Sequence, residues 1–335
     1  MRESIALPML ESSQAGEARR VAIALAIRLG FSEAERGKVG IVVTELANNL
    51  VRYAQEGVLL LQEIQGQAVT GIEILSLDKG PGIDNVDECL RDGFSTGNTP
   101  GNGMGAIKRL SSFLEIYSVL GMGTAIVVHL WANRLSATSS QPKLDLGVIC
   151  LPKAGEEVSG DAWASGSSDD CCLLLVADGL GHGPQAAQAS RAAVRTFEEH
   201  IHQPPKTIVE ETHQALRTTR GAALAIAKID FEAQSIQFAG VGNIAGAILS
   251  AETHANFLSL NGTVGYAVRK VQEFTYPWQP TGLLIMHSDG LGTHWQLDRY
   301  PGLSQKHPSL IAGILYRDFN RGRDDVTVLV AKERV

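Results

Sequence analysis

Four cysteines in 335 residues, at positions 89, 150, 171 and 172, are too few for a disulfide framework, and no CxxC pair suggests a zinc site. They read as small core hydrophobes in a reducing compartment. Positive charge is also short: 29 Lys and Arg stand against 36 Asp and Glu, a formal charge of −7 with no basic run. That balance excludes a surface built for nucleic-acid phosphates. Long apolar runs are missing too, since none approaches the roughly 20 residues that cross a bilayer. The apolar patch at 5–10, interrupted by Pro8 and preceded by Glu3, is no signal peptide. A cytoplasmic protein with no membrane and no nucleic-acid partner is expected. What the chain has in quantity is apolar residues, 44% over a length that suits two domains. The one stretch dominated by Ser, Thr and Pro places a linker at 134–143, between domains at 1–133 and 144–335.

In the second of these domains, residues 171–183 form an apolar run that ends abruptly in Asp178, Gly179, Gly181, His182 and Gly183. This is the pattern of a buried strand delivering one carboxylate to a rim. A short carboxylate followed by a glycine, whose carbonyl can be closely approached, suits a hard divalent cation. The same grammar recurs at 283–290, ending in Asp289, and at Asp324–Asp325 ahead of the apolar run 326–330; Asp161 supplies a fourth position. Asp-Gly is also a common turn, and Asp92–Gly93, with no apolar strand before it, reads as one. Four acids beside four apolar runs are expected to converge on one cluster of cations. His182 reads either as a proton donor or as a hydrogen-bonded structural histidine. A strand at 144–151, helices at 185–200 and 205–217 with Pro184 at a first helical position, and strands at 221–229, 234–240 and 244–250 predict a β-sandwich flanked by helices.

In the first domain, a helix is predicted at 17–29, ended by Gly30, and a second at 38–54. The second puts Glu45 and Asn49 on one face and turns Leu46 and Leu50 into the core. Taken alone, that pair is the wet side of a helix. Two strands follow at 58–62 and 68–77, the latter running into Asp78, Gly80 and Gly82. Gly101, Gly103 and Gly105 then open a helix at 106–113, and Gly121, Gly123 and Thr124 precede a last strand. A glycine-rich loop that opens a helix can present backbone N–H groups and a positive dipole end to a phosphate chain.

The three boxes Glu45/Asn49, Asp78/Gly80/Gly82 and Gly103/Gly105 with Thr124 occur in the order of the GHKL, or Bergerat, ATP-binding fold. With the stretches 28–31, 44–49, 92–97 and 108–110, residues 10–132 resemble the anti-sigma-factor serine kinases of the RsbT type. The resemblance implies a Bergerat α/β sandwich binding ATP and Mg²⁺. Asn49 would hold the Mg²⁺, Glu45 would orient or deprotonate the attacking serine, Asp78 would bond the adenine amine, and Gly80, Gly82, Gly103, Gly105 and Thr124 would complete the ATP site.

From Lys143 onward the acid pattern, with the segments 220–227 and 240–244, resembles the PPM-type metal-dependent serine/threonine phosphatases of the SpoIIE branch, most closely small RsbX-like members. That implies two Mn²⁺ or Mg²⁺ ions held by Asp161, Asp178, Asp289, Asp324 and the Gly179 carbonyl. Asp178 would bridge them as the catalytic carboxylate, and Asp325 would stand in an outer position. The resemblances imply an α/β two-domain, bifunctional partner-switching regulator that acts on a STAS-domain antagonist or a stressosome-type protein; a homodimer is compatible with this. The alternative is a phosphatase controlled by a catalytically silent nucleotide-sensing or anti-sigma docking domain. A sensor histidine kinase is disfavoured, because no phosphoacceptor hairpin precedes the ATP domain.

Overall fold

A computed structural model describes residues 3–66, 69–90, 103–132, 143–168, 170–250 and 254–334. The family stretch at 92–97, the glycine loop at 99–102 and the linker at 134–142 lie outside the described residues. The first elements are β1 (Ile5–Pro8), α1 (Ser12–Arg28), α2 (Glu33–Tyr53), β2 (Val58–Gln65), β3 (Thr70–Leu77), α3 (Val86–Cys89), α4 (Gly103–Leu110), β4 (Phe113–Val119) and β5 (Gly123–Trp131). Then come β6 (Leu144–Leu151), β7 (Asp161–Ser167), β8 (Cys171–Gly179), α5 (Pro184–Glu199), α6 (Pro205–Ala215), β9 (Ala222–Asp230), β10 (Ser235–Val241), β11 (Ala245–Leu249), β12 (His254–Asn256), β13 (Phe274–Pro277), β14 (Leu283–His287), α7 (Pro308–Phe319) and β15 (Val326–Glu333). No helix among the described residues is long and apolar enough to cross a membrane.

Contacts divide the chain into two compact units. One comprises Ser4–Gln141 with Gln305–Arg317, the other Met1–Glu3, Pro142–Ser304 and Asp318–Val335. The first is built on an antiparallel sheet of order β1-β2-β3-β5-β4. Strand alternation sorts its side chains. Leu59, Leu61, Ile72, Ile74, Ile126 and Val128 pack with Ala18, Ala22 and Leu25 of α1 and Val39, Val43, Leu46 and Leu50 of α2. Glu73, Leu75 and Leu77 alternate with Ile72 and Ile74 and are buried as well. Their cover is α7: Ser309 Oγ donates to Glu73 Oε2 at 2.6 Å, and a Cβ on Gly313 would stand 2.9 Å from Leu77 Cδ2. Burial on both faces is why β3 carries large apolar residues at both even and odd positions, Ile72 and Ile74 on one face and Leu75 and Leu77 on the other.

Both long helices begin earlier than the apolar pattern alone predicts. Glu11 N–H donates to Gln14 Oε1 at 3.0 Å, so α1 starts at Ser12 and not at 17. A capping box starts α2 at Glu33 and not at 38: Ser32 N–H donates to Glu35 Oε2 at 2.7 Å and Glu35 N–H to Ser32 Oγ at 3.4 Å. The glycine-led helix α4 spans Gly103–Leu110 instead of 106–113, because Phe113 already pairs with His129 in the β4–β5 ladder.

The second unit stacks two five-stranded antiparallel sheets, β13-β10-β9-β8-β7 and β12-β11-β14-β15-β6. Alternation again builds two cores. Cys172, Leu174 and Val176 of β8 face the other sheet with Ala225, Ala227, Leu284, Met286 and Leu329. Leu173, Leu175 and Ala177 face Ala189, Ala193 and Phe197 of α5 and Ile208 and Val209 of α6. With apolar partners on both sides, β8 can end only where the sheet does, and there Asp178 emerges.

Candidate functional site

The carboxylates expected to converge do so at one end of the sandwich. Asp161 and Asp178 are cross-strand partners in the β7–β8 ladder. Asp289 follows β14 and Asp324–Asp325 precede β15, which pairs with β14 through His287 and Val328. Ser288 ties the sheets together: its Oγ donates to Asp161 Oδ2 at 2.6 Å and accepts from Thr327 N–H at 2.9 Å. Asp325 N–H donates to Asp324 Oδ1 at 3.0 Å, while Asp325 Oδ1 accepts from Lys153 N–H at 2.9 Å. Gly179, next along β8, donates its N–H to Gly160 O at 3.1 Å.

This gathering is electrostatically costly. Burial, then the charges of Asp161, Asp289, Asp324 and Asp325, push Asp178 up to about 9. Burial and the charges of Asp325 and Asp289 outweigh the Ser288 and Thr327 hydroxyls and carry Asp161 up to about 7. Asp325 is also raised, chiefly by burial. Asp161 Oδ1 is buried with no hydrogen-bond partner among the described residues. A buried carboxylate oxygen without a donor, among like charges, is stable only when protons or cations join it. Carboxylate and carbonyl oxygens are the donors preferred by Mg²⁺, Ca²⁺ and Mn²⁺, so the residues fit a hard divalent cation.

Two surrounding residues, Ser288 and Asn243, carry contacts that the sequence pattern does not assign, and His182, expected as a proton donor or a structural histidine, has a hydrogen-bond partner. For Ser288, its place just before Asp289 was the available signal. Asn243 Nδ2 donates to Asp289 Oδ2 at 2.7 Å from the glycine turn after β10, fixing that carboxylate. His182 Nδ1 lies 2.6 Å from Glu156 Oε1, which holds the ring on the loop after Asp178. Cys150 and Cys172 are buried thiols pushed up to about 12 by burial, consistent with core packing.

The boxes of the first unit assemble around α2. Asp78 Oδ1 accepts from Gly80 N–H at 2.6 Å and Thr124 N–H at 3.3 Å, and its own N–H donates to Thr124 O at 2.9 Å. Burial raises the Asp78 carboxyl. A Cβ on Gly80 would stand 3.0 Å from Tyr53 O, which brings this box against the end of α2. Gly82, at φ +80°, passes so close to Val119 O that no side chain fits. Earlier on α2, a Cβ on Gly103 would meet Glu45 Oε2 at 2.6 Å, and Asn49 Nδ2 lies 3.5 Å from Met104 Sδ. Gly105 is buried within α4. Glu45 and Asn49 thus share one face with the glycine-led helix, while Asp78, Gly80 and Thr124 form a separate hydrogen-bonded cluster.

A two-sheet sandwich with acids converging at its strand ends, in one chain with a helix-backed antiparallel sheet carrying these glycine boxes, defines a PPM-type phosphatase domain fused to a Bergerat-type ATPase domain. Profile comparison agrees: the family "Stage II sporulation protein E (SpoIIE)" matches residues 168–334, and "Histidine kinase-like ATPase domain" matches residues 9–129. The chain is 32% identical over 114 residues to serine/threonine-protein kinase RsbT of Bacillus subtilis (strain 168), covering 34% of this chain and 86% of that protein. It is 30% identical over 145 residues to phosphoserine phosphatase RsbX of the same organism, covering 43% of this chain and 73% of that one. A solved structure described as "The bacterial stressosome: a modular system that has been adapted to control secondary messenger signaling" matches with a TM-score of 0.54 and 30% identity, over 57% of this chain and 100% of that one. The structure of RsbX in complex with magnesium shares the fold, with a TM-score of 0.50 and 24% identity over 58% of this chain and 98% of that one. The chain belongs to both families: it joins an RsbT-type ATPase domain to a SpoIIE/RsbX-type serine/threonine phosphatase domain.

Proposed function

We propose that this protein removes phosphate from serine or threonine of a STAS-domain antagonist or stressosome-type protein, and that its ATPase domain phosphorylates such a protein. The observation that carries the phosphatase reading is the meeting of Asp161, Asp289, Asp324 and Asp325 around Asp178, with Asp161 Oδ1 buried and unpartnered among the described residues. These carboxylates and the Gly179 carbonyl would hold two Mn²⁺ or Mg²⁺ ions, with Asp178 between them. Bound there, the cations would neutralise phosphoryl charge and acidify water. Ser288 keeps Asp161 turned inward and Asn243 does the same for Asp289. His182, oriented by Glu156, can give a proton to the departing serine oxygen as water displaces it from phosphorus.

In the other domain, Asn49 would hold Mg²⁺ against ATP and Asp78 the adenine amine, with Gly80, Gly82, Gly103, Gly105 and Thr124 completing the cradle. Glu45 would orient or deprotonate the acceptor hydroxyl. Likeness to RsbT supports this role. Opposed activities on one chain act on a shared target at raised effective concentration. The test uses purified protein with a STAS protein. Manganese-dependent phosphate release that Asp178→Asn removes supports the phosphatase, and label transfer from ATP that Glu45→Ala removes supports the kinase. ATP binding without transfer selects the silent sensor domain instead.

A further inference from the structure

The start of β9 gathers three exposed side chains at the rim of the acid cluster. Asp178 lies opposite Ala223 and Gly179 opposite Ala222 in the β8–β9 ladder. Leu180 N–H donates to Gly221 O at 3.0 Å, so the loop after Asp178 closes onto β9. On the other side, Ala222 and Val264 exchange backbone hydrogen bonds of 3.0 and 2.9 Å, which seats the turn 263–267 on the same residues. From these three segments project Leu180, 45% exposed, Tyr266, 87% exposed, and the exposed Arg220. Arg220 Nη1 lies 3.0 Å from where a Cβ of Gly181 would stand, so the guanidinium leans over the loop that follows Asp178.

A single exposed apolar residue needs no explanation. Here an aromatic ring almost wholly in solvent and a leucine project from segments hydrogen-bonded to the strand start that follows a guanidinium with no ion pair or hydrogen bond among the described residues. The cation lies two residues before the strand that pairs with Asp178, in a chain of net charge −7, yet it ion-pairs with no acid among the described residues. A free guanidinium fork is suited to bidentate capture of a phosphate. Apolar neighbours on either side suit a hydrophobic side chain next to that phosphate, and they disfavour an acidic one through the cost of desolvating it. Mineral phosphate would satisfy the cation alone and leave Leu180 and Tyr266 without a role.

Building on the phosphatase reading, we propose that Leu180, Arg220 and Tyr266 form its substrate-reading rim, in which the guanidinium grips the phosphate of a phosphoserine segment and the leucine and tyrosine cover an apolar residue beside it. The test uses the full chain with Mn²⁺ and three probes: p-nitrophenyl phosphate, a phosphoserine peptide flanked by leucine, and the same peptide flanked by glutamate. The wild type is expected to favour the leucine peptide by roughly 10-fold in kcat/KM. Leu180→Ala with Tyr266→Ala lowers turnover of that peptide several-fold more than turnover of p-nitrophenyl phosphate. Arg220→Ala raises KM by about 10-fold on all three probes, leaves the half-activating Mn²⁺ concentration unchanged, and is partly rescued by Arg220→Lys. Equal use of the two peptides by the wild type, or an unchanged KM in Arg220→Ala, overturns the rim. No turnover of any probe by the wild type overturns the phosphatase reading itself.

Discussion

Each unit buries carboxylates, and the two handle them in opposite ways. In the sandwich, Asp161 and Asp178 are surrounded by further acids and rise to about 7 and about 9. In the ATPase-type unit, burial also pushes Glu73 upward, yet the His129 hydrogen bond, the charges of His129 and His307 and the Ser309 hydroxyl bring it below its ordinary value. Gln62 Nε2, at 2.5 Å, completes that cage. One group of buried acids therefore lacks a counter-charge among the described residues, while the other has it at hand. Depth of burial does not separate a site from a structural support; the question is whether the counter-charge is supplied from within.

The comparison can be broken first at Asp178. Asp178→Asn should lower manganese-dependent phosphate release by a factor on the order of 10³ or more. In chelator at pH 8 the same variant should melt above the wild type, because folding no longer has to protonate a carboxyl raised to about 9; a lower melting temperature in calorimetry would contradict that cost. Next in size, Glu73→Ala should destabilise the protein by about 3 kcal/mol, since Gln62, His129 and Ser309 lose a common buried acceptor. Urea unfolding measures this, and a loss under about 1 kcal/mol would show that the cage contributes little.

Acidity then sharpens the contrast through slopes of opposite sign. Asp178 and Asp161 bind protons more tightly folded than at the unfolded value of 3.8, so metal-free stability should fall as pH rises from there toward about 9, and Mn²⁺ should flatten the decline. Glu73 is lowered from 4.5, so its contribution is complete above that pH and fades as pH falls through its folded value. Melting curves from about pH 2 to 9, with and without Mn²⁺, report both trends. The smallest effect belongs to the nucleotide side: Asn49→Asp should weaken Mg-ATP binding by roughly 10-fold in calorimetry, since it sets a negative charge near the phosphates. Unchanged affinity would remove Asn49 from that pocket.

Much of this was legible in the residues because an apolar strand that ends in Asp-Gly declares both its burial and its exit. Asp178 and Asp289 could be placed at strand ends for that reason, and Glu45 and Asn49 on one helix face by their spacing of four. Ser288 and Asn243 were not legible in the same way, since a lone serine or asparagine carries no periodic signal and its partner lies in a distant strand. The start of α2 was missed although Ser32 and Glu35 spell a capping box, because the apolar pattern begins only at Val39. Least legible was the place of α7. Its residues 308–315 are all buried, so no polar stripe marks which way it faces.

That helix makes the ATPase-type unit a borrower. Its sheet lends one side to α1 and α2, while the reverse side, with an ionised glutamate among leucines, is roofed by a segment encoded near residue 310, far along the chain. A fragment stopping at residue 132 would expose that charged, greasy underside to solvent and invite aggregation. Supplying the missing strip as a separate peptide should return it to solution.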